Sequence, residues 1–247
     1  MSVLFVTGTD TDVGKTIATT LIRSFLHDHG LHFIPFKPVQ TGAILQNGDW
    51  IAPDVMTYQL ALDVEMKQMK TEYLFEKPCS PHLAACLENV EIEPSRLTES
   101  VEQLENLHGG VVVEGAGGLY VPLTTNGYCL IDWMKELKAP VVLVARAGVG
   151  TINHTMLSIK ALESKGIPIA GVLFNDLQQD PPEIVRNNIE MIRMLTDIPV
   201  IGTIPFQSNI RDTLTDPVKR KACYQHWNIT ILKEALTNES RSTVGEE

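Results

Sequence analysis

Val3-Leu4-Phe5-Val6-Thr7-Gly8-Thr9-Asp10-Thr11-Asp12-Val13-Gly14-Lys15-Thr16 opens the chain. A buried-strand pattern runs into a turn bounded by two glycines, and Lys-Thr then begins a helical pattern. That order holds phosphates. Backbone N–H groups of the turn point inward, and the helix N-terminus adds partial positive charge. Lys15 can reach the outer phosphates of a nucleoside triphosphate, and the Thr16 hydroxyl can sit on a magnesium ion. The general pattern has about four residues between the first glycine and Gly-Lys-[Ser/Thr]. Here Thr9 to Val13 separate Gly8 from Gly14, one residue more. The plainer alternative is a tight strand-to-helix turn with Lys15 in solvent.

Outward from this stretch, short apolar runs alternate with longer amphipathic ones. Ile17, Leu21, Ile22, Phe25 and Leu26 have helical spacing over Thr16 to Asp28, with His29-Gly30 as the stop. His32 to Val39 reads as a second strand, ending near Pro38 because proline lacks a ladder donor. Helices are predicted over Pro94 to Leu107, Ile152 to Ser164 and Ile184 to Leu195, the last led by an Asp180-Pro181-Pro182-Glu183 cap. Strands are predicted at Val111 to Val113, Val141 to Ala145, Ile167 to Phe174 and Val200 to Ile204. Alternating strands and helices imply a parallel sheet covered on both faces, with every strand's C-terminal end along one ligand-binding edge.

Four further segments fall at that edge. Lys37 and Thr41 close the second strand; Lys37 can face a terminal phosphate or be an ordinary solvated lysine. Glu114 follows Val111 to Val113, where phosphate-loop enzymes place a magnesium ligand, and three of the next four residues are glycine. The alternative there is a turn with Glu114 in solvent. Asp54 follows Pro53, which by spacing alone is a helix cap. Asn175-Asp176 can read the edge of a base or form an Asx turn. His82 and His154 lack a metal-ligand or nucleophile partner and read as satisfied structural histidines. Met156, Met191 and Met194 fit core-facing positions on helices.

The 247 residues are 44% hydrophobic and 20% charged, which fits one domain over 1–237 with a polar, fraying tail over 238–247. A net charge of −10 argues against nucleic acid and against an anionic membrane surface. Cys79, Cys86, Cys129 and Cys223 form no Cys-x-x-Cys pair and read as buried or half-buried thiols. With no signal-peptide pattern and no apolar run of about 20 residues, a cytoplasmic protein is expected.

Seven segments taken together carry a resemblance: GTDTDVGKT (8–16), KPVQTG (37–42), SPH (80–82), VEGAGG (113–118), INH (152–154), ND (175–176) and IGTIP (201–205). In this order and near this spacing they resemble the dethiobiotin synthetases, whose phosphate loop has the same five-residue gap. The resemblance implies a three-layer P-loop NTPase fold, a mostly parallel central sheet with helices on both faces, in a homodimer. It implies ATP- and Mg2+-dependent carboxylation and ring closure of 7,8-diaminopelargonate with CO2 to dethiobiotin, by way of a carbamate and a carbamic-phosphoric anhydride. Lys37, Lys15 and Thr11 would be catalytic. ATP would meet Asp12, Val13, Gly14, Lys15, Thr16, Ile17, Asp54, Glu114, Gly115, Ala116, Gly117, Asn175, Asp176, Ile204, Pro205 and Phe206. Magnesium would take Thr16, Asp54 and Glu114. Substrate would meet Asp12, Thr41 and Gly117, and its carboxylate tail Gly150, Thr151 and Asn153 across the dimer interface.

Asp12 stands where Glu is common in that family, and beyond Pro205 the likeness fades, Asn209 included. A partitioning-type ATPase switch shares the expected fold but carries an extra lysine early in the loop, absent from Thr9 to Asp12. A GTPase would need Asn-Lys-x-Asp, which Asn175-Asp176-Leu177 does not supply. A related ATP-dependent amide-forming enzyme on another acid is the remaining alternative.

Overall fold

The computed structural model describes residues 2–62 and 71–242, the side chains of 238–242 excepted. β1 (Val3–Gly8) is buried throughout and leads through the glycine turn into α1 (Lys15–Asp28). β2 (Ile34–Phe36), β3 (Val39–Thr41), β4 (Ile44–Gln46), β5 (Asp49–Ile51) and α2 (Pro53–Ala61) follow. Next come β6 (Tyr73–Phe75), α3 (Pro81–Leu87), α4 (Pro94–His108), β7 (Val111–Glu114) and α5 (Leu130–Leu137). β8 (Val141–Arg146), α6 (Thr151–Ser164), β9 (Ile169–Asn175), α7 (Pro182–Leu195) and β10 (Val200–Ile204) continue the alternation. α8 (Ile210–Thr215), α9 (Pro217–Tyr224) and α10 (Ile229–Ser242) finish it.

Six strands form one sheet in the order β10-β9-β8-β1-β7-β2, and every pairing in it is parallel. β1 lies inside, with Val3 opposite Val111 and Phe5 opposite Val141. Its side chains alternate between two cores. Leu4 and Val6 pack with Leu21, Ile22 and Phe25 of α1 and with Trp227 and Leu232. Val3 and Phe5 pack with Leu97 and Val101 of α4 and with Trp133 and Met134 of α5. The Phe5 and Trp133 rings meet edge to face at 5.5 Å. Burying each such side chain stabilises the fold by about 1.5–3 kcal/mol. Both faces are therefore covered, as continuous apolar strands require.

His32 to Val39 does not run as one strand. Only β2 joins the main sheet; β3 leaves it to pair with β6. Pro38 marks the departure, with no N–H to give, while its carbonyl accepts from Glu72 N at 3.2 Å and Tyr73 N at 3.0 Å. The outer edge of β10 is blunted: Ile201 O accepts from Asn228 N at 3.2 Å and Thr203 O from Trp227 Nε1 at 3.3 Å.

Some local expectations are corrected. Asp180 does not cap α7; the cap position is Pro181, without a side-chain hydrogen bond. Met194 is 79% exposed rather than core, and Cys86 is exposed. The last helix runs to Ser242, and 243–247 lie outside the described residues. No described helix is long and apolar enough to cross a membrane.

Candidate active site

The C-terminal ends of β1, β2 and β7 are neighbours in the sheet, so the chain that leaves each of them meets at one place. The turn after β1 needs glycine. Gly14 has φ +88°, and a Cβ there would fall 2.1 Å from Asn175 Nδ2. Gly14→Ala combines left-handed strain of about 1–2 kcal/mol with that clash. We expect it to lower stability by about 2–4 kcal/mol, read as a fall in Tm, and to weaken nucleotide binding with it. An unchanged Tm would contradict the turn geometry.

Lys15, the first residue of α1, is buried, and its Nζ donates to Asp10 O at 3.0 Å. Burial, and then the like charge of Lys37, hold its ammonium down at about 8. Thr16 follows, and its hydroxyl donates to Glu114 Oε1 at 2.9 Å. Lys37, just past β2, is buried too. Its Nζ lies 2.7 Å from Asp54 Oδ2 and 2.8 Å from Glu114 Oε1, and donates to Gly115 O at 3.2 Å. Burial alone would lower the Lys37 ammonium; Glu114 and Asp54 outweigh it and raise it. Burial likewise pushes the Asp54 carboxyl up, but Lys37, helped by the Thr16 hydroxyl, holds it below the usual range. Charge and hydrogen bonding thus outweigh desolvation here.

The cap reading of Asp54 is overturned. It sits in the first turn of α2, but Ala52 is the cap position and no side chain caps there. The Asp54 carboxylate turns to Lys37 instead, and its N–H donates to Gln40 Oε1 at 3.2 Å. Sequence reasoning also missed Tyr58, one helical turn on, whose fully buried hydroxyl donates to Glu114 Oε2. Burial first, and the Glu114 charge next, push that phenol well above its ordinary range, so it remains a donor. The signal was the Asp54–Tyr58 spacing, which puts both on one helix face.

Thr16, Asp54 and Glu114 offer oxygen alone, and the ammonium lodged between the carboxylates shows that the place stabilises positive charge. Such a set suits Mg2+, which takes one or two carboxylates with phosphate oxygens and water. No cluster of three His, Cys, Asp or Glu among the described residues could hold a metal unaided.

The other expected site residues are spread along the C-terminal edge of the sheet, from the loop after β1 to the end of β10. Thr11 and Asp12 are exposed on the loop, Asp12 with φ 56°. Val13 is buried, while Ile17 and Thr41 are half-buried. Gly115, Ala116 and Gly117 continue β7; Gly115 N donates to Val6 O at 2.9 Å, and Thr11 Oγ1 lies 3.6 Å from where a Cβ on Gly117 would be. Asn175 is buried and donates from Nδ2 to Val13 O at 3.1 Å, tying β9 to the loop. Asp176 forms the Asx turn, its Oδ1 accepting from Gln178 N at 3.3 Å and Asp180 N at 3.1 Å. Asp176 and Pro205 line a cavity of about 430 Å³ between α7 and β10, past which Ile204 is buried and Phe206 half-buried. Asn209 caps α8, accepting from Asp212 N at 3.2 Å.

Gly150 (φ +90°) opens α6, with Thr151 buried and Asn153 exposed. Gly150 and Thr151 line a separate cavity of about 80 Å³ with Thr9, Asp10, Arg146 and His154. His154 is exposed, and His82 Nδ1 is buried without a hydrogen-bond partner among the described residues, so neither is the satisfied histidine expected.

A family profile described as an AAA domain matches residues 2–213. A ParA family ATPase from Chlorobium tepidum superposes with a TM-score of 0.53 at 13% identity, over 95% of this chain and 92% of that one. The MinD cell division protein of Aquifex aeolicus gives 0.52 at 17% identity, over 100% and 98%. At such identities these establish the P-loop NTPase fold alone. The ATP-dependent dethiobiotin synthetase of Halalkalibacterium halodurans is 48% identical over 236 residues, covering 95% of this chain and 97% of its own. That of Anoxybacillus flavithermus is 44% identical over 85% and 94%, and that of Bacillus subtilis 34% over 92% and 96%. Likeness of that degree, along nearly all of both sequences, reaches well past a shared fold: the chain belongs to the ATP-dependent dethiobiotin synthetase family.

Proposed function

We propose that this chain converts 7,8-diaminopelargonate, CO2 and ATP to dethiobiotin, ADP and phosphate, with Mg2+. Family membership already makes it an ATP-dependent ligase of biotin biosynthesis. The observation that carries the reading is the joining of Lys37, Asp54, Glu114 and Thr16 in one network beside the phosphate loop.

One substrate amine adds to CO2 and loses a proton, giving a carbamate. A carbamate oxygen attacks the γ-phosphorus of ATP, the bond to ADP breaks, and a carbamic-phosphoric anhydride forms. The second amine attacks the carbonyl carbon, phosphate leaves with the C–O electron pair, and the amine proton is lost as the urea ring closes. Phosphoryl transfer here brings two anions together, so positioning and charge neutralisation carry the catalysis. Lys15 and Lys37 neutralise the transferring group. Thr11, Asp12 and Thr41 orient amines or carbamate, and the half-buried backbone at Ala116 and Gly117 permits close approach. Mg2+ held by Thr16, Asp54 and Glu114 would draw negative charge from the phosphates. Asn175 and Asp176, with Ile204 to Phe206, would meet the adenine.

The substrate's carboxylate would rest at the start of α6 in a second copy of the chain. The exposure of Val149, 83%, just before that helix, and of Leu157, 63%, midway along it, supports a face covered in a homodimer.

Incubation with diaminopelargonate, bicarbonate, Mg2+ and ATP should yield dethiobiotin and ADP by mass spectrometry. ATP turnover without dethiobiotin would sink the proposal.

Lys15 adds a pH signature. A triphosphate favours the charged amine, which in the free chain titrates at about 8. Nucleotide affinity should therefore fall on the order of tenfold between about pH 7 and about pH 9.5, and Lys15→Met should flatten the profile. Stability of the free chain moves the other way. Between about 8 and 10.5 the unfolded chain binds the Lys15 proton more tightly, so this group's contribution rises with pH across that window. A pH-independent affinity in the unaltered protein would remove Lys15 from phosphate binding.

A further inference from the structure

Glu114 closes β7 with both carboxylate oxygens engaged. Oε1 accepts from Lys37 Nζ at 2.8 Å and from Thr16 Oγ1 at 2.9 Å. Oε2 accepts from the Tyr58 hydroxyl. Glu114 and Tyr58 are both wholly buried. Among the described residues Tyr58 is the donor to Oε2, in a place where bulk water cannot substitute for it. A carboxylate held on one side alone can turn about its last side-chain torsion, which is broad. A donor on the second oxygen stops that rotation.

Tyr58 reaches Glu114 from α2, where Asp54 stands one turn earlier. One helix face thus sends Asp54 to Lys37 and Tyr58 to Glu114. The helix start is itself anchored, with Asp54 N donating to Gln40 Oε1. A Phe at position 58 would keep the ring in the same core cluster as Val55, Ala52 and Val112. A hydroxyl in such surroundings is unfavourable unless matched. Here it is matched to an ionisable group of the site.

We propose that Tyr58 is a positioning residue: its hydroxyl fixes the Glu114 carboxylate so that Oε1 faces Thr16, Lys37 and the divalent cation that accompanies the nucleotide. This rests on the assignment of Glu114 as a metal ligand made above. Partners that orient a metal's ligands commonly govern affinity as strongly as some ligands do.

Tyr58→Phe keeps the ring and removes the hydroxyl. A fluorescent ATP analogue is titrated into the protein without metal and then at rising Mg2+. Metal-free affinity should stay within about twofold, while the Mg2+ midpoint for the metal-dependent increase should rise about tenfold or more. Mn2+ binding followed by electron paramagnetic resonance should weaken alike. Glu114→Gln should move the same midpoint, and the double variant should move it little further, because Tyr58 acts through Glu114. Should the Phe variant fail to fold, Tyr58→Met, flexible and of similar bulk, takes its place with the same expectation. If Glu114→Gln shifts the midpoint and loss of the hydroxyl does not, or if the two shifts add in full, Tyr58 is a packing residue and the proposal fails alone. If neither variant shifts it, the metal assignment fails and this proposal with it.

Discussion

Lys37→Ala should lower dethiobiotin formation by about three orders of magnitude while ATP remains bound. A cation on a transferring phosphoryl group is worth that much where it serves mainly the transition state. Lys15, on a different element, keeps its place on the loop, so ground-state binding of the nucleotide survives. The structure adds a second consequence. Lys37 touches Asp54, Glu114 and the Gly115 carbonyl at 2.7, 2.8 and 3.2 Å. Its removal leaves two carboxylates facing each other, one fully buried and one whose side chain is 24% exposed. Losing one partner of a buried charge cluster costs about 3–5 kcal/mol. Partial solvation of Asp54 places the expected loss at the lower end. Tm should therefore drop in the free variant and recover partly with Mg2+ and ATP, since another cation then meets the same carboxylates. Near-normal product formation would remove Lys37 from the chemistry.

Glu114→Gln should raise the Mg2+ concentration needed for activity by about a hundredfold. The substitution keeps the shape of the side chain and deletes its charge. At an effective dielectric near 20, a unit charge at about 4 Å is worth about 4 kcal/mol, and the nucleotide's own phosphates offset part of that. About 2.7 kcal/mol, or a hundredfold, remains. Lys37 would then keep Asp54 as its single ionised partner in the cluster, which lowers its proton affinity toward that of an ordinary lysine. Metal titrations of turnover, run at fixed ATP, read the effect directly. An unchanged Mg2+ requirement would exclude Glu114 as a ligand.

The main sheet was legible because its strands are apolar runs of the right length, separated by helical spacing. β1, β7, β8 and β10 fall where Val3, Val111, Val141 and Val200 place them. What was missed depended on weaker or longer-range signals. β4 and β5 form a hairpin around Asn47-Gly48, both with positive φ, a pair that favours that turn and could have been read. α5 begins with a capping box, Cys129 N donating to Asp132 Oδ2 at 3.0 Å, but cysteine is not a usual cap residue. β3 was hidden because its partner, β6, lies far along the chain.

The site divides in the same way. Lys15 and Thr16 are encoded locally by the glycine turn, and Glu114 by its place at the tip of a buried strand. For Asp54, local spacing argued for a cap, and only the resemblance argued for the site. Its contact with Lys37 is a fact of the folded chain. Tyr58 was marked locally by its one-turn spacing from Asp54 alone, since its partner Glu114 lies 56 residues away.

The strand order carries a consequence for how the molecule comes into being. β7 lies between β1 and β2, though it follows both in sequence. A nascent polypeptide emerging from the ribosome has made Lys15, Lys37 and Asp54 long before the strand that unites them exists. The outermost strand cannot dock on β1 and must wait for a wedge synthesised some seventy residues later. Translation must therefore pass Glu114 before its contacts with Thr16, Lys37 and Tyr58 can form.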